Sequence, residues 1–352
     1  MNILVGLSGG VDSATAAYLL KKQGHNVMGA TMSIWGEKGL ATVHNTGKNA
    51  CYGPDEKEDI EAAKKIAQEI GIPYYVFDCK KEYEEIVMKN FREEYQNGKT
   101  PNPCVWCNSL IKFKALPEIA KKEGLEFDKF ATGHYARIEE KDGIFYLKKA
   151  LEPKKDQTYF LHRLKQEQLK NIMFPLGGFS KEETRNIARE AGLAVSDKKD
   201  SQDFYAGDYN DLLEFEEKEG NFVDLKGNVL GQHKGFWNYT IGQRKGIGIA
   251  APNPLYVLEL RKDANEVVVG EADKTFKNDM IVDNLSWIVK VPEDKENVIV
   301  KIRSAHQGTP AQIFFEGNKL RVIFEEPQKS IAPGQSAVFY QDDIVLGGGI
   351  IN

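Results

Sequence analysis

The chain has 352 residues, 41% hydrophobic and 28% charged, which is enough for two or three globular domains and excludes a disordered or fibrous protein. A formal net charge of -5 excludes bulk electrostatic attraction as the basis of nucleic-acid binding, although a local basic surface fits inside an acidic total. No apolar stretch approaches the ~18 residues of a membrane span and the first strand begins too early for a signal peptide, so a cytosolic protein without a membrane partner is expected.

The first element is a short apolar strand, Ile3 to Leu7, that runs directly into Ser8-Gly9-Gly10-Val11-Asp12-Ser13 and then into the helix-forming run Ala14 to Leu20. Strand, Gly-rich turn and helix in that order aim the helix's first N–H groups and the loop hydroxyls at one spot that suits phosphate. A Walker A loop needs a lysine that is missing here; the loop offers Asp12 instead, a candidate ligand for a magnesium ion bridging phosphates. The string resembles the pyrophosphatase-type loop of enzymes that split ATP between the alpha and beta phosphates, and the resemblance implies adenylation of a substrate oxygen. The plainer reading is a Gly-Gly turn joining a buried strand to a helix.

A second strand follows at Val27 to Met32, a helix at Asp59 to Ile70, a strand at Tyr74 to Phe77, a Glu- and Lys-rich helix over about Glu82 to Gln96, and a strand in Phe130-Ala131-Thr132-Gly133-His134. Strand and helix in alternation predict a doubly wound parallel sheet of α/β class, with ligands beyond the carboxyl ends of the strands, where Ser8, Met32 and Gly133 fall. After Ser201 glycines arrive every few residues, from Gly207 to Gly248, and predict a small irregular central domain. From about Phe276, alternating runs such as Val298 to Ile302, Ala311 to Phe315 and Leu320 to Phe324 predict a C-terminal antiparallel β-barrel. The boundaries read as 1–205, 206–275 and 276–352.

Of the four cysteines, Cys79 reads as packing, while Cys104 and Cys107 stand three positions apart in Thr100-Pro101-Asn102-Pro103-Cys104-Val105-Trp106-Cys107-Asn108. In a reducing compartment such a pair is chemistry before it is a structural disulfide. It can cycle between dithiol and disulfide, ligate zinc or an iron–sulfur cluster, or supply one activated nucleophile; two incidental buried cysteines are the plainer alternative.

Taken with these two motifs, further strings make the chain similar to the tRNA-specific 2-thiouridylases, which replace the 2-oxygen of the wobble uridine by sulfur. They are Ala131-Thr132-Gly133-His134-Tyr135-Ala136-Arg137, Lys155-Asp156-Gln157-Thr158-Tyr159-Phe160-Leu161, Tyr239 to Gly246 and Pro327 to Gln335. The resemblance spans nearly the whole chain and implies a PP-loop ATPase-type domain. Gly6, Leu7, Ser8, Gly9, Gly10, Val11, Asp12 and Ser13 would hold ATP, with Met32 and Gly133 at the adenosine. It further implies that Asn102 and Pro103 face the target base, that Cys107 is the nucleophile, and that His134, Lys155, Asp156, Gln157, Arg303, Ser304 and Gln335 touch the tRNA. Arg244 and Lys245 of the central domain would contact phosphates. The sulfur donor would be a cysteine desulfurase relay or sulfide.

Two positions depart from the family pattern. Cys104 stands where the family has an aspartate, and Asp200-Ser201-Gln202-Asp203-Phe204-Tyr205 carries no cysteine where the family's persulfide-bearing one stands. Either Cys104 becomes the partner of Cys107, or Cys51 joins both to hold a [4Fe-4S] cluster whose open iron binds the sulfide; the cluster is the preferred expectation. Zinc on the same three cysteines plus His44 is a third option. A ligase adenylating a small molecule would explain the loop without the cysteines, and a non-catalytic RNA-binding or sulfur-carrier protein would leave the intact loop and Cys107 without a purpose.

Overall fold

The computed structural model describes residues 1–36, 50–196, 198 and 203–352. They form two compact units: Met1–Met88 with Pro103–Asp211 and Asp343–Val345, and Lys89–Asn102 with Leu212–Asp342 and Leu346–Asn352.

The first unit is built on five parallel strands in the order Tyr74–Asp78, Asn26–Ser33, Asn2–Gly6, Lys129–Ala131, Ile172–Met173. Ile3, Leu4 and Val5 of the central strand are 0% exposed, the burial that a continuous apolar run requires when helices cover both faces of a sheet. From the central strand the chain steps outward twice on one side and then returns to the other, so right-handed crossovers set helices on opposite faces. The strand order reverses between Gly6 and Ala131, and α/β sheets bind ligands at such a reversal. Helix Glu56–Ile70 buries Ala63, Ile66, Ala67 and Ile70, spaced for one face, against Val11, Ala14 and Ala17 of helix Val11–Lys22 and against Ile3, Val5 and Leu7. Gly71, left-handed at φ 71°, ends that helix.

Two departures from the sequence reading affect the site. The fourth strand stops at Ala131, so Thr132, Gly133 and His134 lie in the loop beyond it, ahead of a hairpin, Ala136–Lys141 with Ile144–Lys149, that the sequence reading does not include. Residues 107–115, left without an element by the pattern, form a π-helix, Cys107–Ala115, entered through one helical turn, Pro103–Trp106. A short parallel pair, Ala50–Tyr52 with Asp203–Tyr205, sets Ala50 opposite Asp203 and Tyr52 opposite Tyr205.

In the second unit the central region is more regular than its glycines predict. Val229–His233, Gly220–Val223, Glu266–Gly270 and Tyr256–Arg261 form a four-stranded sheet, with Phe222, Phe236, Val257, Val267 and Val269 as its core. The C-terminal barrel is present as predicted. Its strands run in the order Phe276–Trp287, Lys319–Lys329, Thr309–Glu316, Asn297–Lys301, Ser336–Gln341, Ile344–Ile351, and pairing of the first with the last closes it. Val298, Val300, Ala311, Ile313, Leu320, Val322 and Phe324 alternate into its interior. Among the described residues no helix is long and apolar enough to cross a membrane.

Candidate active site

At the reversal point the chain leaves Gly6, anchors Leu7 N–H on the Ala30 carbonyl at 2.8 Å, and turns through Ser8, Gly9 and Gly10 into helix Val11–Lys22. Gly9 is required: its φ is +72°, and a Cβ there would stand 2.9 Å from the Asp59 carbonyl oxygen. The loop is closed by Ser13, whose Oγ accepts the Ser8 N–H at 3.1 Å, lies 3.3 Å from Ser8 Oγ and donates to the Gly10 carbonyl at 3.1 Å. The first intrahelical bond runs from Ala14 N–H to Gly10 at 3.2 Å, which leaves the N–H groups of Val11, Asp12 and Ser13 without an intrahelical acceptor. Together with the helix dipole they make an anion site.

Asp12 is engaged from two distant parts of the chain. Lys181 Nζ donates to both carboxylate oxygens at 2.7 and 2.8 Å, and the Tyr135 hydroxyl donates to Oδ1 at 3.0 Å and also lies 3.0 Å from Thr184 Oγ1. The magnesium ligand expected at Asp12 is therefore already ion-paired. Lys198 Nζ reaches the Gly9 carbonyl at 3.2 Å and Asp59 at 3.1 Å. Sequence reasoning missed Lys181, Tyr135, Thr184 and Lys198 as loop partners. Ser180-Lys181-Glu182-Glu183 announces a capping box, which marks a helix start but says nothing of what Lys181 meets.

Gly133 packs on the loop from the other side of the reversal point, where a Cβ would stand 2.6 Å from the Asp12 carbonyl carbon and the Ser13 nitrogen. His134 shares a 2.7 Å hydrogen bond with Thr132 Oγ1, and burial together with the nearby Lys112 charge holds its pKa well below the ordinary value, so the imidazole is neutral. Met32 is half-buried in strand Asn26–Ser33, opposite Phe77.

The thiols gather in the same unit. Cys107 is buried, Cys104 half-buried and Cys51 solvent-accessible; Cys51 acts electrostatically on both Cys104 and Cys107, and Cys107 on Cys104. Burial pushes the Cys107 thiol up to about 12, against the opposing pull of Lys112. Burial also raises Cys104, with Cys51, Cys107 and Asp203 adding to it and Lys112 opposing. Protein packed around Cys51 raises that thiol as well, though its side is open to solvent. The Cys51 thiol donates to the Phe204 carbonyl at 3.7 Å, so the strand register sets it beside the Phe204-Tyr205 pair. Phe204 and Tyr205 are 4% and 2% exposed, and the Tyr205 hydroxyl donates to Asp211 at 3.1 Å. Cys79 is fully buried, as a packing residue is.

The three-cysteine cluster does not fit this arrangement: among the described residues no three His, Cys, Asp or Glu side chains are disposed to hold a metal ion. His44, the fourth ligand of the zinc option, lies outside the described residues.

The other candidates serve the scaffold as well as facing outward. Asp156 accepts the Thr158 hydroxyl at 2.8–2.9 Å and the Ala150 N–H at 3.2 Å, and Gln157 Oε1 accepts the Tyr135 N–H at 2.8 Å, which braces the residue that binds Asp12. Lys155 beside them is half-buried. In the second unit Arg303 and Ser304 are exposed, Arg303 donating to the Lys329 carbonyl at 3.3 Å. Gln335 Nε2 donates to the carbonyls of Thr100 and Pro101 at 2.9 and 3.2 Å, and Thr100 N–H bonds to Pro333 at 2.8 Å, so the Pro333–Gln335 turn fixes the segment that ends in Asn102. Pro103 opens the helical turn that carries Cys104.

Three family models match successive stretches of the chain: a tRNA methyl transferase HUP domain over residues 1–205, a tRNA methyl transferase PRC-barrel domain over 212–271, and an aminomethyltransferase beta-barrel domain over 277–351. A protein named tRNA-specific 2-thiouridylase MnmA from Endomicrobium trichonymphae is 50% identical, the match covering 100% of this chain and 99% of that one. Proteins of the same name from Lachnoclostridium phytofermentans and Geobacter metallireducens are 44% and 41% identical, each match covering 99% of this chain and 99% and 96% of theirs.

Proposed function

The chain belongs to the tRNA-specific 2-thiouridylase family, and on that premise we propose that it replaces the 2-oxygen of a tRNA wobble uridine by sulfur, consuming ATP and releasing AMP and pyrophosphate. The 2-carbonyl of uracil is a poor electrophile with a poor leaving group. Adenylation of its oxygen supplies the leaving group, and the base must be unstacked from the anticodon loop to reach both the alpha phosphate and a thiol.

The observation that carries this reading is the succession of neighbours that runs from the Gly-rich loop to Cys107. Gly133 lies against the ATP loop at Asp12 and Ser13, His134 follows it within range of the Lys112 charge, and Lys112 acts in turn on Cys107. In this reading residues 6–13 bind the polyphosphate, Met32 and Gly133 border the adenosine, Asn102 and Pro103 face the base, and Cys107 is the nucleophile. His134, Lys155, Asp156, Gln157, Arg303, Ser304 and Gln335 hold the tRNA. Domains at 1–205, 206–275 and 276–352 are supported by the family-model matches. A cytoplasmic setting goes with the substrates.

Sulfur delivery is written through thiols. A desulfurase relay transfers a sulfane sulfur to Cys107, leaving the donor as a thiol. The terminal sulfur of the Cys107 persulfide attacks C2 of the adenylated base, and AMP departs with the former 2-oxygen. The Cys104 thiolate then attacks Cys107 Sγ, freeing 2-thiouridine and leaving a Cys104–Cys107 disulfide for a cellular dithiol to reduce. Tyr205, at the family's second cysteine position, has no sulfur for that role. No step passes through an iron–sulfur cluster, and a magnesium ion accompanying ATP would share or displace Lys181 at Asp12.

The test uses tRNA carrying oxygen-18 at the 2-position of the wobble uridine. The heavy oxygen is expected in the phosphate of the released AMP. Unlabelled AMP alongside 2-thiouridine would exclude adenylation of the base.

A further inference from the structure

Lys112 belongs to none of the motifs read from the sequence. It sits in the apolar run Leu110-Ile111-Lys112-Phe113, half-buried, and among the described residues it forms no ion pair with a carboxylate. Its charge acts on Cys51, Cys104, Cys107 and His134. The backbone explains how it gets there. Lys112 follows Cys107 by five residues within π-helix Cys107–Ala115. At 3.6 residues per turn the fifth residue stands about 140° round the axis, away from the first, whereas the wider turn of an i to i+5 helix brings it back to within about 50°. The wider turn thus rotates Lys112 onto the cysteine face.

The surrounding charges differ between the thiols. Cys104 faces Cys51, Cys107, Lys112 and Asp203, and Cys51 faces Lys112, Asp203 and Asp59. Cys107 faces Lys112 and Cys51. Among the described residues, Cys107 is the one thiol of the three that feels the cation without an opposing carboxylate.

We propose that Lys112 is the positioning residue of the nucleophile: the π-helix turns its ammonium onto the face of Cys107, where it offsets part of the cost of ionising that buried sulfur and favours it over Cys51 and Cys104. The Cys107 proton leaves to water and Lys112 stays charged throughout. The same ammonium serves a persulfide anion equally. This inference rests on the reading of Cys107 as nucleophile.

The test measures the rate of iodoacetamide alkylation at Cys107, resolved by peptide mass spectrometry across a pH series, in the full-length wild type and in Lys112→Met and Lys112→Arg. The Met variant is expected to alkylate Cys107 about tenfold more slowly at pH 8, its profile displaced upward by about one unit, as loss of one charge beside a buried thiol implies. Arginine is expected to restore most of the rate. 2-Thiouridine formation should fall in parallel while ATP affinity holds. An unchanged alkylation profile in Lys112→Met overturns the proposal, and Lys112→Gln carries the same readout if the Met variant loses its cooperative melting transition. Thiolation by Cys107→Ser would instead sink the underlying reading, whatever Lys112 does.

Discussion

At Gly133 the difference between hydrogen and methyl separates two halves of the proposed site. An added Cβ would meet the Asp12 carbonyl carbon and the Ser13 nitrogen at 2.6 Å, and both are backbone atoms at the start of a helix that cannot swing aside as a side-chain tip does. Gly133→Ala is expected to destabilise the fold by about 1–3 kcal/mol in urea unfolding and to weaken ATP binding at least tenfold in equilibrium dialysis, because relief requires the loop itself to move. Wild-type ATP affinity in that variant would mean that the loop adjusts freely. The residues around Asp12 mark the limit of what the sequence discloses. Ser8 to Ser13 are legible because strand, glycines and helix adjoin, whereas Tyr135 and Lys181 reach Asp12 from more than a hundred residues away and leave no local pattern.

Among the elements, legibility follows whether the hydrogen-bond register matches a hydrophobic period. Helix Glu56–Ile70 and the barrel strands carry clear periods of 3.6 and 2, and they appear where the sequence predicts them. The central sheet was hidden because glycines interrupt its alternation, although Phe222, Val257, Val267 and Val269 still converge. π-Helix Cys107–Ala115 has no period to announce it, yet it sets the relation between Lys112 and Cys107.

The turn Thr158–Leu161 with His162 behind it is an element whose stability depends on pH. His162 is 0% exposed; its Nδ1 donates to the Tyr159 carbonyl at 2.9 Å, and its Nε2 has no partner among the described residues. Burial lowers its pKa from 6.5 to about 3. The unfolded chain therefore binds a proton that the folded chain refuses throughout that interval. Stability is complete above the unfolded value and is lost as pH falls toward the folded one, at about 1.4 kcal/mol per unit. Urea unfolding between pH 7 and pH 4 is expected to show this loss, with a shallower slope in His162→Gln. Equal slopes in the two proteins would place the acid sensitivity elsewhere.

For the whole molecule, a parallel-sheet unit carrying the ATP loop and thiols, a small central sheet and a closed antiparallel barrel are what a reaction on a large folded RNA needs. The chemistry occupies a few residues, and the rest of the surface is available for phosphate contacts, which position without reading bases. With a net charge of -5 the proposed grip would fall to local basic groups such as Arg303 and Lys155, so association is expected to weaken with salt. The three-domain organisation was readable from the change of texture along the chain. The strand register adds what the sequence does not disclose, that the accessible Cys51 stands beside Phe204 and Tyr205.

The central claim is that Cys107 delivers sulfur to an ATP-activated uridine with Cys104 as its resolving partner. The most direct measurement is single-turnover nucleoside analysis of unmodified tRNA incubated with ATP and a persulfide donor, with AMP counted in the same samples. The account predicts one 2-thiouridine per AMP in the wild type and none in Cys107→Ser. In Cys104→Ser it predicts tRNA retained on the protein through a reducible bond to Cys107. 2-Thiouridine formed by Cys107→Ser, or AMP released as fast without tRNA as with it, would contradict the account.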